Sequence, residues 1–325
     1  MAGFSHEFND PDAFSSAMLG GSFEYLPLPG QAFQARLDVV VLGDVVLQAG
    51  EQGAHTARGA IHRGLSVLML SLPSRVPRVR MNGQPTSLSL GYLSPGGQEF
   101  HAHSEADVAW GALAVPEELL AQAAEMAPEP IRRMAGVVNL PDEPQRRLAG
   151  AIASATRMAR QQPDVLFQPG CVKGLAASMQ DMLADTLSAE SRLLPLTRAT
   201  REAHRVVRDA EAFLEAHLGQ PIFRQQLCQV LGVSLRKLHD CFMATTGMSP
   251  LAYLKTRRLL LARRALRRTG GDAELVKAVA LAHGFWHFGH FAQDYRAQFG
   301  ETPSETRARR DGPANGPVWL RGAPP

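Results

Sequence analysis

Val276 to Arg307 reads VKAVALAHGFWHFGHFAQDYRAQFGETPSETR, and its punctuation predicts two helices joined by a tight turn. Val276, Val279 and Ala280 put small apolar groups on one side of the first helix, as close helix packing requires. His283-Gly284-Phe285 supplies the turn, because glycine reaches the left-handed conformation that a Cβ disfavours. The second helix is expected from Trp286 onward. Its Phe291, Tyr295 and Phe299 recur at i, i+4 and i+8, a core stripe. Gly300 ends it and Pro303 follows, the usual order beyond a helix C-terminus.

The same grammar occurs once more upstream. Phe223 to Val230 makes a leading helix, Leu231-Gly232-Val233 a turn, and Ser234 an N-cap whose hydroxyl accepts from a backbone N–H. Leu235 to Thr246 follows, turning Leu238, Phe242 and Cys241 inward, and stops at Gly247. A long helix from about Met248 to Arg268 joins the two units, with Leu259, Ala262 and Leu266 as its seam and Arg257, Arg264 and Arg268 on another face. Residues 202–218 precede them as a helix, apolar at Val206, Val207, Ala210, Phe213 and Leu214.

Val276/Val279-Ala280, Gly284-Phe285, Phe291, Phe299-Gly300, Pro303-Ser304 and Arg307 together resemble the second helix-turn-helix of the AraC/XylS family of bacterial transcription regulators. The resemblance covers about residues 205–310. One departure is Thr306, where the family usually has a tyrosine that packs the end of the domain. The resemblance implies an α+β protein: an N-terminal cupin-like β-barrel with dimerisation helices, then an all-α domain with two helix-turn-helix units. It further implies duplex DNA, RNA polymerase, a small-molecule effector and a second copy of the chain as partners. An activating role is the expectation.

The N-terminal half supports that plan through its own rhythm. Phe33 to Leu37, Val45 to Leu47, Leu65 to Leu72, Leu88 to Leu93 and Val108 to Val115 read as short strands. Asn82-Gly83 is a hairpin signal between them, and Ser94-Pro95-Gly96-Gly97 a turn. Such spacing predicts a small all-β barrel or sandwich. From Pro116 to about Ala189 the chain reads helical, with long helices at Gln145–Arg160 and Gly170–Leu187. The expected organisation is a loose arm over 1–22, a sensing and dimerisation domain over 23–187, and a linker over 188–201. The DNA-binding domain spans 202–311 with its units near 223–246 and 275–299, and a tail covers 312–325.

Charge divides along the same line. Residues 1–200 hold 15 Lys/Arg against 20 Asp/Glu, whereas residues 201–311 hold 18 against 11, so the polyanion-attracting charge sits in the C-terminal third. No apolar run is long enough for a membrane span, and the first basic residue is Arg36, unlike a signal peptide. Three scattered cysteines, Cys171, Cys228 and Cys241, without a CxxC motif, fit reduced thiols in the cytoplasm. No cofactor is expected.

A recognition helix reads bases with its N-terminal and outward residues. In the first unit these are Arg236, Lys237, His239, Asp240 and Met243. The family's base contacts fall on Arg236, His239 and Asp240. Arg236 suits guanine; Asp240 either pairs with Arg236 or Lys237, or accepts from cytosine N4. In the second unit the outward positions are His287, Gly289, His290, Gln293 and Arg296, with Gln293 suited to adenine. Phe288 is either core filler or a contact to a thymine methyl. Phosphate clamps are expected from backbone N–H groups near Leu235 and His287 and from exposed Arg224 and Arg257. Two such helices would read major-groove faces about 34 Å apart.

The enzymatic alternative rests on His101-Ala102-His103-Ser104-Glu105, since His-x-His on a strand points both rings to one face and could seed a cupin-like metal site. Glu105 follows too closely for the usual cupin spacing, and no later histidine precedes His204. No GxSxG, Walker or GxGxxG pattern is present, so a binding protein and not an enzyme is expected. Arg58, Arg63, Arg75, Arg78 and Arg80 either face an anionic ligand or stay solvated.

Overall fold

The computed structural model describes residues 3–28, 31–72, 79–129, 131, 135–268 and 273–308. The chain divides into two compact units, Met1–Tyr25 with Gln34–Thr197, and Leu26–Phe33 with Arg198–Pro325.

The first unit is built from antiparallel strands. Strands β1 (Gly3–Phe8), β3 (Ala35–Leu42), β4 (Val45–Gln52), β11 (Val108–Pro116), β6 (Leu65–Ser71), β9 (Leu90–Pro95), β12 (Gly136–Asn139) and β13 (Arg192–Leu193) form one sheet in that spatial order. A second sheet runs β2 (Gly21–Pro27), β5 (His55–Ile61), β10 (Glu99–Ser104), β7 (Val79–Met81) and β8 (Gln84–Pro85). The expected closed barrel is thus replaced by two separate sheets. Their ends explain why: β8 and β13 are two residues long, and Pro85 offers no backbone donor for a further strand.

Strand β11 sits mid-sheet between β4 and β6, and all its residues from Val108 to Val115 are buried. A strand covered on both faces needs an unbroken apolar run, which VAWGALAV provides. Helices α2 (Glu117–Ala123), α3 (Asp142–Gln161), the short α4 (Pro163–Leu166) and α5 (Pro169–Thr186) bring Leu120, Leu148, Ile152, Met179 and Leu183 into one core with Leu47, Leu68 and Leu113. Gln145 is buried at the start of α3 and donates from Nε2 to the Leu88 carbonyl at 2.6 Å.

Three local expectations differ. Residues 3–8 are not a loose arm: β1 pairs with β3, and α1 (Pro11–Ala17) follows, capped by Asp10 accepting from Ala13 N at 2.9 Å. Phe14 on α1 is fully buried. The stretch between α2 and α3 is not wholly helical, because Val137 and Val138 enter the sheet as β12 beside β9. The expected linker contains β13, which pairs with β12.

The second unit is helical. Helix α6 (Arg198–Ala216) buries Val206, Val207, Ala210 and Leu214 completely. Helices α7 (Arg224–Leu231) and α8 (Leu235–Thr246) pack there through Leu227, Leu238 and Phe242, joined by Leu26 from the preceding segment. Helix α9 (Pro250–Arg268) runs on to a second cluster, where Leu259, Ala262 and Leu266 meet Val279 of α10 (Ala273–Ala282) and Phe291 and Tyr295 of α11 (Phe288–Phe299). Helix α12 (Pro303–Ala308) closes the end. There the smaller Thr306 is 1% exposed: its hydroxyl accepts from Tyr295 at 2.8 Å and donates to Glu301 at 2.7 Å. Glu301 in turn receives Arg263 at 3.0 Å, so a buried polar chain from Tyr295 through Thr306 and Glu301 to Arg263 ties α12 to α11 and α9. The expected tail over 312–325 lies outside the described residues.

Candidate nucleic-acid interface

The α7–α8 and α10–α11 pairs share one construction. Gly232 caps α7 at φ +64° and Gly284 follows α10 at φ +77°, both left-handed as the turns require. A Cβ on Gly284 would meet the Leu218 carbonyl oxygen and Arg258 Nη1, each at 2.9 Å. Ser234 caps α8, its Oγ accepting from Lys237 N at 3.2 Å. Helix α11 starts at Phe288, two residues later than expected, because the backbone is still extended at His287. His287 is its N-cap and makes no side-chain cap hydrogen bond.

On α8 the inner stripe of Leu238, Cys241 and Phe242 is buried, which leaves Arg236, His239, Asp240 and Met243 outward. Arg236 is almost fully solvated, its side chain 93% exposed, and stands 3.9 Å from Asp240 one turn on. Lys237 departs from its expected outward role: its Nζ reaches Glu202 Oε2 on α6 at 2.8 Å, and that hydrogen bond raises the lysine pKa and lowers the glutamate's.

On α11 the buried residues are Phe291, Tyr295 and Gln298. His287, Phe288, Gly289, His290, Gln293 and Arg296 are all exposed, so the structure gathers the outward set on the face away from the core. Phe288 is 37% exposed and Lys277 Nζ lies 6.0 Å from its ring centroid, an arrangement that does not fill a core. Among the described residues, its chain neighbours and its own helix backbone apart, nothing lies within 4 Å of the position a Cβ on Gly289 would take, so the helix surface there is open to a close-approaching backbone.

One expected phosphate clamp is overturned. Arg257 is fully buried, with Nη2 on Glu215 at 2.6 Å and Nη1 3.7 Å from Glu211, which also accepts from the Tyr253 hydroxyl. Arg224 is exposed as expected. Sequence reading missed this α6–α9 clamp because Glu211 and Glu215 lie on another helix, and only their i, i+4 spacing hinted at a shared partner.

The histidines of the enzymatic alternative do not assemble a centre. His101 and His103 are both buried; His103 Nδ1 lies 3.2 Å from Thr56 Oγ1, and its Nε2 is 3.8 Å from Glu105. Among the described residues no group of three His, Cys, Asp or Glu side chains is placed to hold a metal. Among the described residues, too, no helix is long and apolar enough to cross a membrane.

Comparison with known proteins points the same way. The family described as "Helix-turn-helix domain" matches residues 227–309. The chain is similar to "XylDLEGF operon transcriptional activator 3" of Pseudomonas putida, 32% identical over 42% of this chain and 39% of that protein. It is also similar to "Probable thc operon regulatory protein" of Rhodococcus erythropolis, 40% identical over 31% of this chain and 30% of the relative. The chain thus spans about two fifths or less of these relatives' length, from 39% to 30%. Among solved structures, a probable AraC family transcriptional regulator from Rhodopseudomonas palustris is 41% identical over 32% of this chain and 96% of its own, with a TM-score of 0.30. The AraC-like transcriptional activator CuxR is 19% identical over 87% of this chain and all of its own, with a TM-score of 0.44.

Proposed function

Because the chain belongs to the AraC/XylS family of transcription regulators, we propose that it binds duplex DNA sequence-specifically through α8 and α11 and activates transcription. The observation that carries this reading is the paired exposure of Arg236, His239 and Asp240 on one helix and His290, Gln293 and Arg296 on the other. Both helices pack on α9, whose seam residues Leu259, Ala262 and Leu266 are buried. Arg236 reads guanine and Gln293 adenine, each by a bidentate pair. Asp240 stands within ion-pair reach of Arg236, which supports an orienting role for the acid over reading cytosine. Lys237, held by Glu202, supports α8 and does not read bases.

The N-terminal unit is the effector-binding and dimerising part in this proposal, with α3 and α5 as the pairing helices. RNA polymerase is the downstream partner, the cytoplasm is the compartment, and no step is catalytic. The test is binding of the full-length protein to the DNA upstream of its own coding sequence across a salt series, beside Arg236→Ala and Gln293→Ala. The expected result is sequence-specific retardation with a steep salt slope, relaxed at one defined base pair by each variant. Binding that ignores sequence, with both variants like the parent, would overturn the assignment of the reading residues.

A further inference from the structure

Between the two sheets of the N-terminal unit lies a cavity of about 50 Å³, lined mainly by apolar side chains from both sheets. We propose that this cavity takes an uncharged, mainly apolar small molecule carrying a hydrogen-bond acceptor, and that it discriminates against anions. The inference rests on the reading of this unit as effector-binding and adds the chemical class.

The lining decides the class. None of the described lining residues is Asp, Glu, Lys or Arg. Of the arginines that an anion would need, Arg58 instead pairs with Glu24 at 3.2 Å, and neither Arg63 nor Arg80 belongs to the lining. Arg75 and Arg78 lie outside the described residues. A carboxylate taken into such a space would lose its hydration with no cation among the described lining to offset the loss.

The polar groups that do line it are neutral and mostly satisfied by one another. Trp110 Nε1 donates to Gln52 Oε1 at 2.8 Å, and Gln52 Nε2 faces His55 Nε2 at 3.4 Å. His55 Nδ1 lies 2.8 Å from the Gly53 carbonyl, which can only accept, so Nδ1 carries the proton and Nε2 is the acceptor. Burial holds this imidazole uncharged.

Tyr92 supplies the recognition group. Asn82 Oδ1 accepts from His101 N at 2.7 Å, which fixes the amide so that its Nδ2 donates to the Tyr92 hydroxyl at 3.0 Å. The hydroxyl therefore accepts from the protein and keeps its own proton to donate, with no hydrogen-bond acceptor for it among the described residues. A ketone, ester or alcohol oxygen completes that pattern without bringing charge.

Size sets a condition on the ligand. An apolar cavity of about 150 Å³ holds a benzene ring, so a ring-sized guest here must displace side chains. Met69 and Met81, both in the lining, are the unbranched, adaptable groups that can yield.

The experiment compares near-isosteric probes on the full-length protein: acetophenone against benzoate, and 2-heptanone against hexanoate, read by thermal melting and calorimetry. The neutral probes are expected to raise the melting midpoint while the anions at equal concentration do not. Tyr92→Phe is expected to weaken the neutral probes about 5-fold, the loss of one hydrogen bond. Because it also takes the acceptor from buried Asn82 Nδ2, the unliganded variant melts below the parent and each shift is read against the variant's own unliganded midpoint. Anions binding as tightly as their neutral partners would overturn the inference, as would no response to either pair at millimolar concentration. DNA binding by the same preparation separates the two readings. Retained DNA binding without ligand selectivity defeats this inference alone, and ligand selectivity without DNA binding defeats the proposed function alone.

Discussion

At Arg236 the guanidinium stands in solvent, while its neighbour Lys237 reaches back to Glu202. The two cations are expected to behave differently on DNA. Arg236→Ala should cost about 1–3 kcal/mol on the cognate base pair and little on its substitutions, whereas Lys237→Ala should leave base preference unchanged; titrations on single-base operator variants check this. Helical periodicity placed both residues outward. It could not reveal Glu202, because a side chain on another helix leaves no local trace. Gly284 was legible, and its geometry sharpens the expectation: Gly284→Ala forces a Cβ onto φ +77° and against the Leu218 carbonyl. Denaturant melts should register more than about 1 kcal/mol of lost stability. His55 gives a pH dependence that no pattern in the sequence announced. Burial lowers its pKa to about 4 from the ordinary 6.5, so the unfolded chain binds the proton more readily. The associated stability is complete above pH 6.5 and falls as pH drops toward 4, by about 3 kcal/mol in all. The parent should therefore lose more stability than His55→Gln over that window in acid-dependent denaturation.

Helix α9 carries the element-scale lesson. Its Leu259, Ala262 and Leu266 seam was readable from spacing, and all three are buried. Arg257 was not, since an arginine in a basic helix reads as solvated and this one is fully buried against α6. Its removal leaves Glu211, which is 3% exposed, beside an empty site. Arg257→Ala is thus expected to destabilise the helical unit by about 3–5 kcal/mol, measured by chemical denaturation. A smaller loss would mean that Glu211 escapes to water when its partner goes. Short strands explain the other misses. Four residues of β12 are too few for a period, and β1 is recognisable only through its pairing with β3. By contrast the Phe291, Tyr295 and Phe299 stripe needed no partner to be read, since the three rings meet edge to face along one helix.

Across the whole molecule, the charge asymmetry and the order of β-rich unit before basic helical unit follow from composition and turn grammar alone. The assignment of Leu26–Phe33 to the helical unit does not, because the stretch falls within the sensing domain expected over 23–187 and carries no periodic pattern of its own before Phe33. Leu26 is 2% exposed in the core of α6 to α9, and Gln298 Nε2 of α11 donates to the Pro27 carbonyl at 2.9 Å. Leu26→Ala should accordingly lower the stability of the helical unit by about 2–5 kcal/mol, and a fragment starting at Arg198 should melt lower than the same unit in the full chain. The central claim is that two separate helices read two separate major-groove faces. Base-resolution footprinting of the full-length protein on its operator, with Arg236→Ala and Gln293→Ala in parallel, tests it most directly. The account predicts two protected major-groove segments about one helical turn apart, each variant relaxing protection in a different one. A single protected segment, or both variants relaxing the same one, would contradict it.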